Sequence, residues 1–246
     1  MSRYSLLSSL FLALSLILAN GSRLATVEAG DSSAAFQDTS TSTMCSSGKN
    51  GASLMDEMVR HVKEMGDYKF DGTVNGVKGQ KVTKATGTFY FKPQSEIRVE
   101  VKDYGSKSGS ILVKTKEGKV KGKGGSGMLG MKMNLSPDSR LAQMPNGVSA
   151  VQCDLLSLLN KVKRDVGPGG KLVTTGEPVK VESLASPVII LEGQLPGEEM
   201  ASRIFIDPSQ RLPIQWDLFD NGKFSSRSLF KSYEAKGNWD ESQFEL

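Results

Sequence analysis

Two segments of the chain repeat their apolar residues every three or four positions, which is the spacing of one face of a helix. The first segment starts at Ser53, in a capping-box-like sequence. Its apolar face consists of Leu54, Met58, Val62 and Met65. The second segment starts at Ser149 and ends in basic residues just before Gly167. Both segments are therefore predicted to be amphipathic helices.

Elsewhere the apolar residues alternate with polar ones, as they do in half-buried strands. The alternating segments are residues 68–74, 82–91, 97–101, 111–114, 119–123, 131–135, 172–181, 187–195, 201–206, 212–219 and 224–233. Roughly ten strands joined by short turns cannot form a parallel sheet, because parallel strands need long crossovers. The sequence predicts an α+β, mainly β fold. Its antiparallel sheet is strongly curved into an unclosed half-barrel, and the helices cover the concave face.

The N-terminal segment has the pattern of a secretory signal peptide. Arg3 precedes an apolar run over residues 6–18, and small residues follow up to Gly21. The run has 13 residues, whereas a membrane span needs roughly 20. We therefore expect a signal peptide at 1–21, a flexible Ser/Thr-rich leader at 22–50, one domain at 51–238 and a C-terminal tail at 239–246. The mature protein is expected in the periplasm or cell envelope, with no transmembrane span.

Composition excludes several classes of protein. The 246 residues carry 31 Lys+Arg against 27 Asp+Glu, a balance too mild for a dedicated nucleic-acid binder. With two cysteines and one histidine, a structural zinc site has no ligand cluster. That histidine, His61, lies beside Arg60 and Lys63 and is expected at the surface. We expect no catalytic residue, no metal, no cofactor and no enzymatic activity.

The two cysteines leave a disulfide open. Export would permit a bond between Cys45 and Cys153. Cys45 lies in the predicted leader, however, and Cys153 is equally interpreted as a small buried residue at a helix start.

Lysines and glycines are concentrated in residues 114–127. Lys119, Lys121 and Lys123 share one side of a predicted strand and are candidates for contact with an anionic surface. Lysines on an edge strand also discourage aggregation between sheets, so both interpretations stay open. Residues 122–127 match G-x-G-x-x-G, but a strand-like pattern follows them instead of a helix. We interpret them as a glycine loop.

Residues 87–93, Gly-Thr-Phe-Tyr-Phe-Lys-Pro, and the Ile97-Arg98-Val99 that follows resemble a stretch of the LolA-like lipoprotein carriers. The segments 110–119 and 212–223 are similar to two hairpins of the same family. The resemblance covers about residues 53–236. It implies an unclosed barrel whose helices form a lid over an apolar cavity for lipid acyl chains.

The resemblance also implies a site. Lys92 stands where the family has an arginine before proline, so it is the candidate lid and cargo switch, although an ammonium lacks the planar fork of a guanidinium. The candidate cavity lining is Phe89, Phe91, Ile97, Val99, Val101, Leu155, Leu159, Ile214, Trp216 and Leu218. If Lys92 points inward as the family arginine does, Thr88 and Tyr90 line the cavity in place of the two phenylalanines.

The expected function is that of an exported soluble carrier, which binds lipid or lipoprotein acyl chains and ferries them across the cell envelope. An envelope donor or acceptor protein is a further candidate partner. Nucleic acid is not expected, because no aromatic residues are interleaved with the lysines. The alternative is a structural or regulatory envelope module whose interior is filled by its own Met and Phe side chains.

Overall fold

The computed structural model describes residues 50–92 and 96–246. The predicted signal peptide and all of the predicted leader except Asn50 lie outside the described residues. Within the described part of the chain, no helix combines the length and the apolar character needed to cross a membrane.

The described strands form one open antiparallel sheet. They are β1 (Tyr68–Lys78), β2 (Lys81–Lys92), β3 (Glu96–Asp103), β4 (Ile111–Lys114), β5 (Val120–Lys123), β6 (Lys132–Leu135), β7 (Lys171–Thr174), β8 (Ile189–Gln194), β9 (Met200–Ile206), β10 (Pro213–Asp220) and β11 (Lys223–Ala235). Their order is β6-β5-β4-β3-β2-β1-β11-β10-β9-β8-β7. The edge strands β6 and β7 do not pair with each other, so the sheet is not closed into a barrel. The predicted fold class is confirmed.

Within residues 50–92 and 96–246, two α-helices accompany the sheet, α1 (Gly51–Met65) and α2 (Leu155–Val166). Both predicted starts were wrong. Asn50, not Ser53, caps α1 by accepting a hydrogen bond from the Ala52 amide at 3.0 Å. Asp154 caps α2 through the Ser157 amide at 2.8 Å, whereas Ser149 precedes a separate 3₁₀ turn, Ala150–Gln152. In each case a side-chain oxygen satisfies an amide that the first helical turn leaves free.

One predicted strand is much shorter than expected. Residues 172–181 were predicted as a single strand, but β7 ends at Thr174. The Thr174 hydroxyl accepts a hydrogen bond from the Gly176 amide, which turns the chain away from β8. The chain returns only for an isolated bridge between Val179 and Val188.

The main core lies between the helices and one face of the sheet, which we call the inner face. Met55 and Met58 of α1 are fully buried there together with Leu155 and Leu159 of α2. Aromatic rings fill the middle of the inner face. Phe70 stacks on Phe89 at 5.1 Å between ring centroids and meets Phe230 edge-on at 5.3 Å.

The opposite, outer face carries a row of alternating charges across β8, β9, β10 and β11. The strand register places Glu192 opposite Arg203, Arg203 opposite Asp217, and Asp217 opposite Arg227. Arg203 donates to Glu192 at 2.8 Å, and Arg227 donates to both carboxylate oxygens of Asp217 at 2.8 Å. A slip of one residue would place these side chains on the opposite face of the sheet, so the row supports the observed register.

Replacing Asp217 with alanine tests how far this row stabilises the sheet. The substitution removes the almost completely buried carboxylate to which Arg227 and Gln215 donate hydrogen bonds. We expect the free energy of unfolding, measured by urea denaturation, to fall by roughly 3 kcal/mol. The matched control is Glu198→Ala, which removes an exposed ion pair with Lys171 and should cost less than about 1 kcal/mol. Equal losses of unfolding free energy in the two variants would contradict a stabilising role of the charge row.

Candidate functional site

Five of the predicted lining residues lie side by side on the inner face. Phe89 and Phe91 of β2 and alternate residues of β3 are all buried against the helices. The β3 members are Ile97, Val99 and Val101. The opposite face of β2 carries Thr88, Tyr90 and Lys92. The Thr88 hydroxyl donates a hydrogen bond to the Asp71 carboxylate at 2.7 Å. Of the two orientations left open by the sequence, the structure has the one with the phenylalanines inward.

The remaining predicted lining residues divide into two groups. Leu155 and Leu159 meet Trp216 beneath α2, and Leu218 packs half-buried against the same core. Ile214 does not join them. The pairing of β10 with β9 shifts by one residue between Pro213 and Gln215, and Ile214 packs instead into a second cluster with Phe205. This β-bulge, which strict alternation cannot show, breaks the period of two.

The space beneath α2 is almost completely filled. A volume of about 10 Å³ remains between the apolar side chains of α2 and the strands, which is close to what one water molecule requires. The side chains that enclose it are Leu155, Leu158, Leu159, Val162, Ile204, Pro213, Trp216 and Phe230. In this conformation an acyl chain has no room under the middle of the helical cover.

A larger space opens where α1 ends and α2 begins. This space, the helix-end cleft, has a volume of about 230 Å³. It is lined by Val62, Lys63, Gly66, Tyr68, Phe91, Lys92, Glu96, Ile97, Asp154 and Leu156. Val62, Tyr68, Phe91 and Ile97 are buried, whereas Lys63 is exposed and the other charged members are half-buried. The cleft thus combines apolar walls with charged groups at its opening.

Lys92 lines this cleft but does not face the inner side of the sheet. Its Nζ lies 5.4 Å from the ring centroid of Phe244, a buried residue of the C-terminal segment. Arg98 donates to the Gln243 carbonyl at 2.7 Å, and Trp239 meets Tyr90 edge-on. Residues 239–246, predicted as a tail, therefore pack on the outer face of β2 and β3.

Tyr68 connects the sheet to the start of α2. Its hydroxyl accepts a hydrogen bond from the Leu155 amide at 2.9 Å, in a buried position. Burial, reinforced by the nearby Asp154 carboxylate, raises the pKa of Tyr68 well above its ordinary value. The phenol therefore stays neutral and continues to accept this bond at any physiological pH. Sequence reasoning placed Tyr68 only in an alternating strand, and nothing in that pattern indicates a helix as its partner.

Two of the three candidate lysines, Lys121 and Lys123, lie in β5, which is not an edge strand, and Lys119 directly precedes it. Lys119 and Lys123 are exposed and Lys121 is half-buried. β6 pairs with β5 and forms the edge, so protection of an edge strand does not explain the β5 lysines. Their contact with an anionic surface stays a prediction.

Cys153 is a buried free thiol that donates a hydrogen bond to the Ser149 carbonyl at 3.2 Å. Burial raises its pKa to about 12, so the thiolate is not formed near neutral pH. Its predicted partner Cys45 lies outside the described residues, and the disulfide stays a prediction. His61 is half-buried on α1. No group of three or more His, Cys, Asp or Glu residues is arranged to hold a metal ion in the part of the chain that is described.

No model of a known protein family matches the chain. No curated protein matches it either. Several solved structures are similar. An uncharacterized conserved protein from Thermus thermophilus has a TM-score of 0.47 and 15% identity, over 78% of this chain and 92% of that one.

Two other similar structures have descriptive names. A LolA superfamily protein from Nitrosomonas europaea has a TM-score of 0.42 and 8% identity, over 79% of this chain and 97% of that one. The MucA/MucB complex of Pseudomonas aeruginosa has a TM-score of 0.41 and 14% identity, over 80% of this chain and 60% of that one. Because these TM-scores lie below 0.5, the fold assignment rests on the sheet order above, and no function is taken from these proteins.

Replacing Tyr68 with phenylalanine tests the connection between the sheet and α2. The Leu155 amide loses its buried acceptor, which should lower the free energy of unfolding by about 1 to 2 kcal/mol. Relative to the parent protein, the rate of amide hydrogen exchange should increase more in α2 than in α1. The control is Tyr233→Phe, whose hydroxyl donates to the Pro213 carbonyl instead. This variant should lose stability without selective exchange in α2, and unchanged α2 exchange in Tyr68→Phe would refute the connection.

Proposed function

We propose that this chain is an exported, non-catalytic binding protein of the cell envelope, which takes up an acyl chain of a lipid or lipoprotein through the helix-end cleft. The observation that carries the proposal is the cleft itself. It offers about 230 Å³ between buried apolar walls, against about 10 Å³ beneath the middle of α2. The envelope location is proposed from the apolar run that follows Arg3.

The chemistry of the cleft suits an amphiphile. The side chains of Val62, Phe91 and Ile97 would cover methylene groups of the acyl chain. Burial of each methylene group contributes about 0.8 kcal/mol to the binding free energy. Lys63 and Lys92 belong to the lining of the cleft, and the Lys92 ammonium lies over the Phe244 ring. Neither lysine forms an ion pair within the described part of the chain, and their positive charges would attract a carboxylate or phosphate headgroup.

Full insertion of a long chain requires movement of α2. The cleft is smaller than the roughly 300–1,000 Å³ of pockets that hold drug-sized ligands, and the adjoining interior is filled. The start of α2 borders the cleft, and its Leu155 amide is held by Tyr68. Release of that bond would let α2 move away from Trp216 and extend the cleft along the inner face. The binding energy of the acyl chain would then drive a shift between a closed and an open state.

The proposal is tested with Leu156→Trp. Leu156 is half-buried and lines the cleft, so an indole there should occupy the space without disturbing the core. We expect the affinity for a fluorescent long-chain fatty acid to fall at least about tenfold. The control is Val82→Trp, which adds the same side chain at an exposed hairpin position and should bind as the parent protein does.

A second function is favoured by the filled interior. Met55, Met58 and Phe70 are fully buried and belong to one core with Phe89 and Phe91, as a structural or regulatory module filled by its own side chains would have. Native mass spectrometry separates the two functions. A protein that stays empty in the presence of fatty acid, with no effect of Leu156→Trp, rejects the acyl-binding proposal in favour of this module.

A further inference from the structure

The loop that joins β5 to β6 exposes large apolar side chains at one edge of the sheet. We call residues 124–131 the β5–β6 tip. Leu129 is 96% exposed and Met131 is 64% exposed. Among the described residues, Val82 and Leu141 are the other large apolar side chains that are exposed, and both are less so. Leu129 and Met131 are two residues apart and so form a small exposed apolar patch, a feature that in larger form marks protein or membrane interaction sites.

The backbone of the tip holds Leu129 in a costly conformation. Its φ of 49° and ψ of 31° lie in the left-handed region, where a residue with a Cβ is disfavoured by roughly 1 to 2 kcal/mol. With its side chain almost fully exposed, Leu129 gains little packing within the chain to offset this cost. A glycine or asparagine would fit the same turn with less strain, so a leucine there is unexplained by folding alone.

The base of the tip is fixed against the segment that precedes β4. A Cβ on Gly125 would lie 1.9 Å from the Ser108 carbonyl oxygen, and one on Gly127 would lie 2.8 Å from that of Ser106. The Gly125 amide also donates to the Ser110 hydroxyl at 3.0 Å. The glycines of the G-x-G-x-x-G sequence thus permit close backbone packing, which holds the exposed side chains at a defined place.

Two lysines stand at the base of the tip, and two more lie along or next to β5. Lys123 and Lys132 lie directly opposite each other where the tip joins the two strands, and both are exposed. Residues 118–136 contain four lysines and no aspartate or glutamate. An anionic surface is therefore the complement of this edge of the sheet, because each lysine near such a surface adds to the attraction.

We propose that the β5–β6 tip docks the protein on an anionic lipid bilayer, with Leu129 and Met131 entering the interface and the neighbouring lysines contacting the headgroups. Two weak signals, a small apolar insertion and a cluster of cations, together give reversible membrane binding. The inference goes beyond the proposed acyl site and does not depend on it, because docking on a vesicle and uptake of a fatty acid are measured separately.

The test uses the protein purified after export. It is sedimented with vesicles of equal parts phosphatidylcholine and phosphatidylglycerol, and with vesicles of phosphatidylcholine alone. The parent protein should bind the anionic vesicles, and binding should weaken as salt is raised. Leu129→Asn combined with Met131→Gln should lower the affinity on the order of tenfold. Asparagine tolerates the left-handed region, so this variant should melt no lower than the parent.

Two further variants complete the test. Val82→Asn removes an exposed apolar side chain elsewhere and should leave vesicle binding unchanged. Leu129→Trp should show additional fluorescence quenching by brominated acyl chains, which reports insertion of the tip itself. Equal vesicle binding by the Leu129/Met131 double variant and the parent would overturn the proposal. The proposal would also be overturned if the parent protein did not bind the vesicles. That outcome includes the case in which Leu129→Asn dissociates an oligomer, which would show that the tip contacts a second copy of the chain.

Discussion

An open antiparallel sheet presents an apolar face to water unless other elements cover it, and here α1 and α2 provide that cover. Buried side chains of the helices, such as Met58 and Leu159, belong to one core with aromatic rings of the sheet, such as Phe70 and Phe89. Burial of this face is the main source of stability for such a layer. The helix-end cleft lies where this cover is interrupted, between the end of α1 and the start of α2.

The same contact defines what a ligand must displace. An acyl chain that enters beyond the cleft has to replace side-chain contacts of α2 with its own methylene groups. In the acyl binding proposed above, one apolar contact would replace another, so single polar contacts such as the Tyr68–Leu155 hydrogen bond would contribute to the balance between the closed and open states. If the proposed function holds, the protein would be closed without cargo, and its opening would need no bond chemistry.

The sequence was most informative where one residue pattern dominated. The alternation of Ile97, Val99 and Val101 predicted both a strand and its buried side, because a half-buried strand leaves a strict period of two. It was least informative where the structure departs from regularity. The bulge at Ile214 is a one-residue shift in the pairing of β10 with β9. Each helix cap, at Asn50 and at Asp154, depends on a hydrogen bond to one side-chain oxygen. The sequence left an empty and a self-filled interior open as alternatives, and it did not indicate the Tyr68 contact, since both depend on distances between residues far apart in the chain.

The most direct measurement of the acyl site is photo-cross-linking with a long-chain fatty acid that carries a diazirine at its terminal carbon, followed by peptide mapping. Entry through the helix-end cleft predicts labelled peptides from the end of α1, the start of α2 and the paired ends of β2 and β3, with labelling competed by unmodified fatty acid. Label confined to the outer face or to the β5–β6 tip, or label that excess fatty acid does not reduce, would contradict acyl binding at this site.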